Sequence, residues 1–142
     1  MEQRDYLKKQ IDQAGKVLEK MLADLLGFKS QAQLTERVEA TRKALHDQLD
    51  IDTEALMNIP SVDLLQILEI EKKLSKENMG KLADIWLLMA DREQMKSKLQ
   101  ATIYEKCLTI YEYLEKVENS ASFDRHLKII RIKNALTIPP AL

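Results

Sequence analysis

Side chains able to do chemistry are few in this sequence and far apart. The one cysteine, Cys107, lies in the apolar run ATIYEKCLTIYEYL, and the histidines are His46 and His126. A thiol nucleophile needs exposure, an electropositive setting and a base within reach. Cys107 sits instead on an apolar helical arc, where a small buried thiol is expected; only a fold that carried His126 to it would make a reactive couple. A lone cysteine also excludes an internal disulfide and a multi-cysteine metal site. His46 and Asp50 have helical i,i+4 spacing, which makes a solvated surface pair. Neither histidine follows a glutamate by three residues, as a di-iron bundle requires, and HExxH and CxxC are absent. Gly15, Gly27 and Gly80 are scattered, which removes phosphate-binding loops. The acids between Asp50 and Glu71 do not have calcium-loop spacing and read as a solvated surface. No catalytic residue, cofactor or metal ligand is assigned, and a non-enzymatic protein is expected.

Two groups of residues remain that could bind. Tyr104, Leu108 and Tyr111 share one side of a helix and make a candidate groove for a protein or peptide partner. Core packing with the hydroxyls at its edge is the plainer meaning of the same pattern. Arg125, Lys128, Arg131 and Lys133 place four positive charges on the last helix, the one feature that offers nucleic acid a contact. The chain as a whole has 22 basic and 23 acidic side chains, so no global field favours nucleic acid or an anionic membrane. Nucleic acid is therefore the alternative, alongside a small enzyme with a pocket between helices.

The elements that must position these residues are helices. The chain of 142 residues has only three glycines and three prolines and is rich in Leu, Lys, Glu, Ala, Ile and Gln, which predicts an all-α fold of about six to seven helices in one domain, residues 1–142. Leu7, Ile11, Ala14, Leu18, Met21 and Leu25 alternate spacings of four and three, which predicts a helix over about 3–26, ended by Gly27. Gly15 interrupts that pattern where another backbone could approach closely. Leu34, Val38, Thr41, Leu45 and Leu49 predict a second helix over about 31–48, antiparallel to the first because the link is short. Asp52 should cap a short helix, Pro60 should break the chain, and Ser61 should cap the next. Ser75 should cap a helix with Met79, Leu82, Ala83, Trp86, Leu87 and Ala90 in the core.

The helix predicted over about 93–118 carries two apolar stripes. Met95, Leu99, Ile103, Ile110, Leu114 and Val117 form one, and Tyr104, Leu108 and Tyr111 the other, leaving a narrow wet face with Lys98, Glu105, Glu112 and Lys116. Such a helix should be central. The last helix, capped by Ser120 or Ser122, has Phe123, Leu127 and Ile130 on one side and Ile129, Ile132 and Leu136 on nearly the opposite side. The second set is the candidate for self-association in a homodimer, unless the TIPPAL tail covers it through Ile138 and Leu142. No apolar run approaches the length of a membrane span, about 18 residues, and the charged N-terminus lacks an apolar signal core, so a cytoplasmic protein is expected.

The segment KLADIWLLMADREQMKSKLQATIYEKCLTIYEYLEK resembles a tetratricopeptide hairpin. Cys107 and Leu108 fall on its Ala-Leu pair, Tyr104 on its aromatic position and Leu87 on the leucine of its first helix, while Leu88, Asp91 and Glu112 depart from its small, aromatic and proline positions. The opening RDYLKKQIDQAGKVLEKMLADLLG, through Arg4, Asp5, Tyr6, Ile11, Gln13, Gly15 and Leu18, and the segment LDIDTEALMNIPSVDLLQIL resemble a family of small all-helical bacterial proteins of unknown function. These resemblances imply antiparallel helical hairpins of tetratricopeptide-like kind and a bacterial cytosolic origin. They supply no functional residue. The function expected from the sequence is a helical interaction or scaffold module.

Overall fold

The computed structural model describes residues 2–27, 31–92, 97–118 and 122–137. Seven α-helices and one π-helical turn account for nearly all of these, with no strand among them. The helices are α1 (Glu2–Leu26), α2 (Gln31–Leu49), α3 (Thr53–Met57), α4 (Ser61–Gln66), α5 (Lys76–Asp91), α6 (Lys98–Val117) and α7 (Phe123–Leu136), and the π-helical turn Ile67–Glu71 continues α4. Met95, Ser120, Ile138 and Leu142 lie outside the described residues, as does the side chain of Arg4.

Local chemistry sets the boundaries. Asp52, Ser75, Ser97 and Ser122 each accept a hydrogen bond from the backbone N–H three residues on, satisfying one of the donors a helix start leaves free. α6 therefore begins at Lys98, five residues later than its periodicity suggests, because Ser97 supplies a cap. Ser61 does not cap. Pro60 takes the N-cap position of α4 without a side-chain bond, and the Ser61 hydroxyl accepts from Lys106 instead. Beyond α2, Asp50 adopts a left-handed backbone (φ 55°) and the next N–H, of Ile51, bonds back to the carbonyl of Leu45. Lys73 (φ 56°) repeats this after the π-helical turn, with Leu74 bonding to Leu68.

α6 is central. It packs against α5 along most of its length and also meets α3, α4 and α7. Its wet face holds the exposed Lys98, Glu105, Glu112 and Lys116, while Leu99 and Val117 at its two ends are partly exposed. One continuous core joins Leu18, Met21 and Leu25 of α1, Leu45 of α2, Leu64 of α4, the inner face of α5, Ile103, Ile110 and Leu114 of α6, and Ile132 of α7. Trp86 is fully buried in it and its indole N–H donates to the Thr53 hydroxyl at 3.2 Å, so its one polar atom is satisfied. α1 runs beside α5, and there the glycine in α1 receives a side chain where a backbone was expected. A Cβ on Gly15 would lie 3.1 Å from Asn78 Oδ1. The Asn78 amide donates to the Ile11 carbonyl at 3.0 Å, clamping the two helices.

Candidate functional site

The sequence offered two surfaces on α6 and α7, and the structure turns both inward. Tyr104 and Tyr111 are buried and Leu108 is half-buried against the core, because α7 lies over this side of α6. The tyrosine hydroxyls point to two carboxylates one heptad apart on α5, and each carboxylate also receives a cation from α7. Tyr104 donates to Asp91 at 2.8 Å and Arg131 meets the same oxygen at 2.8 Å. Tyr111 donates to Asp84 at 2.5 Å and Lys128 meets that oxygen at 3.0 Å. Burial and the adjacent Asp91 push the Tyr104 phenol up to about 12, and burial beside Asp84 raises Tyr111 further. For Lys128 burial opposes the charge, but hydrogen bonds to Asp124 and Asp84 outweigh it and raise its pKa. These two triads join α5, α6 and α7. Tyr104, Leu108 and Tyr111 thus line an intramolecular interface.

The last helix is also oriented differently from expectation. Ile129 and Ile132 are buried and Leu136 is half-buried, all packed in the core, so they are not available to a second copy. The exposed stripe is Phe123, Leu127 and Ile130. Period alone could not choose between two opposite stripes; the acids on α5 choose, because only this rotation brings Lys128 to Asp84 and Arg131 to Asp91. The basic residues of α7 are correspondingly engaged. Arg125 pairs with Glu118 at 2.8 Å and Glu115 at 3.5 Å, Lys128 with Asp84 and Asp124, Arg131 with Asp91, and Lys133 with Glu112 at 3.5 Å.

Cys107 is wholly buried, with its thiol 3.4 Å from the Ala83 carbonyl. Burial and the charges of Asp84 and Asp91 push the thiol up, away from the reactive thiolate. His46 contacts Asp47 at 3.2 Å, not Asp50, which instead pairs with Lys72 at 3.2 Å after its left-handed turn. No three His, Cys, Asp or Glu side chains converge as a metal site among the described residues. A cleft of about 410 Å³ between α5, α6 and α7 is lined by paired charges, Lys81, Asp84, Arg125 and Lys128 among them. Lys106, passed over in the sequence, is buried and donates to the Ile59 carbonyl and the Ser61 hydroxyl, fastening the α3–α4 link to α6. Its place between Ile103 and Ile110 on the apolar stripe was the available signal.

Besides the Phe123, Leu127 and Ile130 stripe of α7, a second open apolar surface lies on α1. α1 has 25 residues against 19 in α2 and 16 in α5. The first turn of α5 reaches α1 at Ile11, through Asn78, and residues 5–13 of α1 are all exposed. The predicted stripe therefore divides: Leu18, Met21 and Leu25 are buried, whereas Leu7 and Ile11 continue it into solvent, 46% and 38% exposed. Beside them α1, the end of α2 and the segment 69–75 enclose a groove of about 1320 Å³ with Leu7, Ile11, Ala14, Val17, Leu49 and Leu74 on its walls. Sequence periodicity marked these α1 residues as apolar but could not show that neighbouring helices stop short of them.

Compared with protein families, with curated proteins and with solved structures, the chain matches none. No described helix is long and apolar enough to cross a membrane.

Proposed function

We propose that this protein is a helical interaction module that docks a protein or peptide segment in the groove along the first half of α1. The observation that carries this reading is the division of the α1 stripe. An apolar face bordered by polar residues and left open by the described helices is the geometry of helix-in-groove recognition. A nucleic-acid reading has less support, since each basic group of α7 already meets a carboxylate. The tetratricopeptide likeness of α5 and α6 belongs to the same proposal: they form the scaffold, and α1 presents the surface. A cytoplasmic, bacterial setting is part of it too. The test is affinity capture from cell extract with the native chain and with Ile11→Asp. A partner retained by the first and lost by the second supports the reading, provided both proteins have the same helical spectrum. Equal recovery of every protein by both would overturn it.

A further inference from the structure

The outward face of α7 has the spacing of a coiled-coil seam. Phe123, Leu127, Ile130 and Asn134 are separated by four, three and four residues, the alternating d and a positions of a heptad, and all four are exposed, Phe123 to 75%. The opposite face of the helix, with Ile129 and Ile132, is already in the core, so the seam faces solvent. Asn134 stands at its end, where a side-chain amide still reaches water. The charges beside the seam have both signs, which leaves no partner of a single sign favoured, but their order is self-complementary. On the flank toward α5, Asp124 and Arg131 hold equivalent e positions one heptad apart and carry opposite charge. Lys128 meets Asp124 at 2.9 Å and Asp91 meets Arg131 at 2.8 Å, yet the two side chains stay 79% and 50% exposed and remain open to a further ion pair. On the other flank His126 and Lys133 hold the g positions, with Glu112 of α6 beside Lys133 at 3.5 Å.

We infer that α7 joins a second copy of this chain in a weak antiparallel dimer, through Phe123, Leu127 and Ile130. A twofold axis passing between Leu127 and Ile130 sets each leucine against the other copy's isoleucine. The same operation brings Asp124 of each copy beside Arg131 of the other, and symmetry makes the pair twice. A parallel pairing sets His126 beside Arg131 and gains no pair of opposite charge. The seam spans eleven residues, about 16 Å, so the interface belongs to the small class, under about 1,200 Å² in total, and the dimer is transient. It is independent of the docking role given to α1.

Sedimentation equilibrium of the full chain at low salt, from about 10 μM to 1 mM, should show the mean mass rising from one chain toward two, with a Kd on the order of 100 μM. Leu127→Asp and, independently, Phe123→Ser should hold the chain monomeric while leaving the helical spectrum unchanged. Asp124→Lys should weaken the dimer about tenfold, less as salt rises. Ile11→Asp, on α1, should leave it intact. On oxidation, Phe123→Cys mixed with Asn134→Cys should cross-link between chains and Asn134→Cys alone should not; Cys107 is buried and takes no part. A constant monomer mass up to 1 mM, or a dimer indifferent to both α7 seam variants, would overturn the inference. Self-cross-linking of Asn134→Cys, or a dimer unchanged by Asp124→Lys, would overturn the antiparallel register. A monomeric full chain that dimerises once it is cut after Thr137 would assign the seam to the chain's own last residues and overturn the dimer.

Discussion

α7 and the first half of α1 are both amphipathic and both lie at the edge of the helical stack, yet one is fixed and the other open. α7 is tied to α5 and α6 by two carboxylates, two tyrosines and two cations, and its inner isoleucines join the core. α1 is clamped at Ile11 by Asn78 and at Glu19 by Lys81, and beyond Ile11 none of the described helices lies over its stripe. An apolar stripe states that a helix has something to bury. Whether it is buried depends on the lengths of the neighbours and on which polar groups set the helix rotation.

The widest separation between the two regions should appear in stability. Trp86→Ala removes a fully buried indole and its bond to Thr53, and is expected to cost about 3 kcal/mol or more in denaturant unfolding. Ile11→Ser, on the open strip, should cost less than about 0.5 kcal/mol. Similar values for the two would erase the distinction between core and open strip.

Within α7, Ile132→Ala should cost about 2 to 4 kcal/mol and Ile130→Ala well under 1, since Ile132 is buried and Ile130 is on the exposed stripe. The reverse order would restore the rotation predicted from sequence, with Ile129, Ile132 and Leu136 facing outward.

The triads that fix this rotation give a pH signature. Tyr104 has its pKa raised from 10.0 to about 12. Between those values the unfolded chain has lost the phenolic proton and the folded chain has kept it, so the folded state binds more protons and stability falls as pH rises. The contribution is complete below about pH 10 and is lost by about pH 12. Thermal melts from pH 9 to 12 should show a falling midpoint, with a smaller slope in Tyr104→Phe. An identical slope in that variant would mean the Tyr104 hydroxyl is neither buried nor held by Asp91.

Much of the fold was legible because helix periodicity and capping are local. Asp52 and Ser75 cap where expected, α5 buries Met79, Leu82, Ala83, Trp86, Leu87 and Ala90, and α6 takes the central place its two stripes require. What failed was non-local. Ser61 was claimed by Lys106 from another helix, and Asp50 was turned from His46 toward Lys72 by a left-handed residue. Tyr104, Leu108 and Tyr111 were correctly paired on one side of α6, but whether that side is a groove depends on α7, whose rotation is set by Asp84 and Asp91 on a third helix. The open strip was visible as Leu7 and Ile11; its openness was not, because it depends on where α2 ends and α5 begins.

The smallest expected effect probes how firmly α1 is clamped. Gly15 and Gly80 are both helix-interior glycines, and alanine at either should gain up to about 1 kcal/mol of helix propensity. Their surroundings differ. At Gly80 a new Cβ meets only the Leu114 Cδ1 methyl at 3.3 Å, the end of a side chain that can rotate, so Gly80→Ala should be neutral or slightly stabilising. At Gly15 it meets Asn78 Oδ1 at 3.1 Å and Lys81 Nζ at 3.3 Å, and neither is free to retreat: the Asn78 amide is bonded to Ile11 and Lys81 to Glu19. Displacing Asn78 stretches the bond that joins the start of α5 to α1. Gly15→Ala should therefore lose its propensity gain and fall below Gly80→Ala by about 1 kcal/mol, with faster amide exchange in the first half of α1. If Gly15→Ala proves the more stable of the two, the Asn78 contact yields at little cost, and the difference in anchoring between α1 and α7 is larger than the hydrogen bonds across α1 and α5 imply.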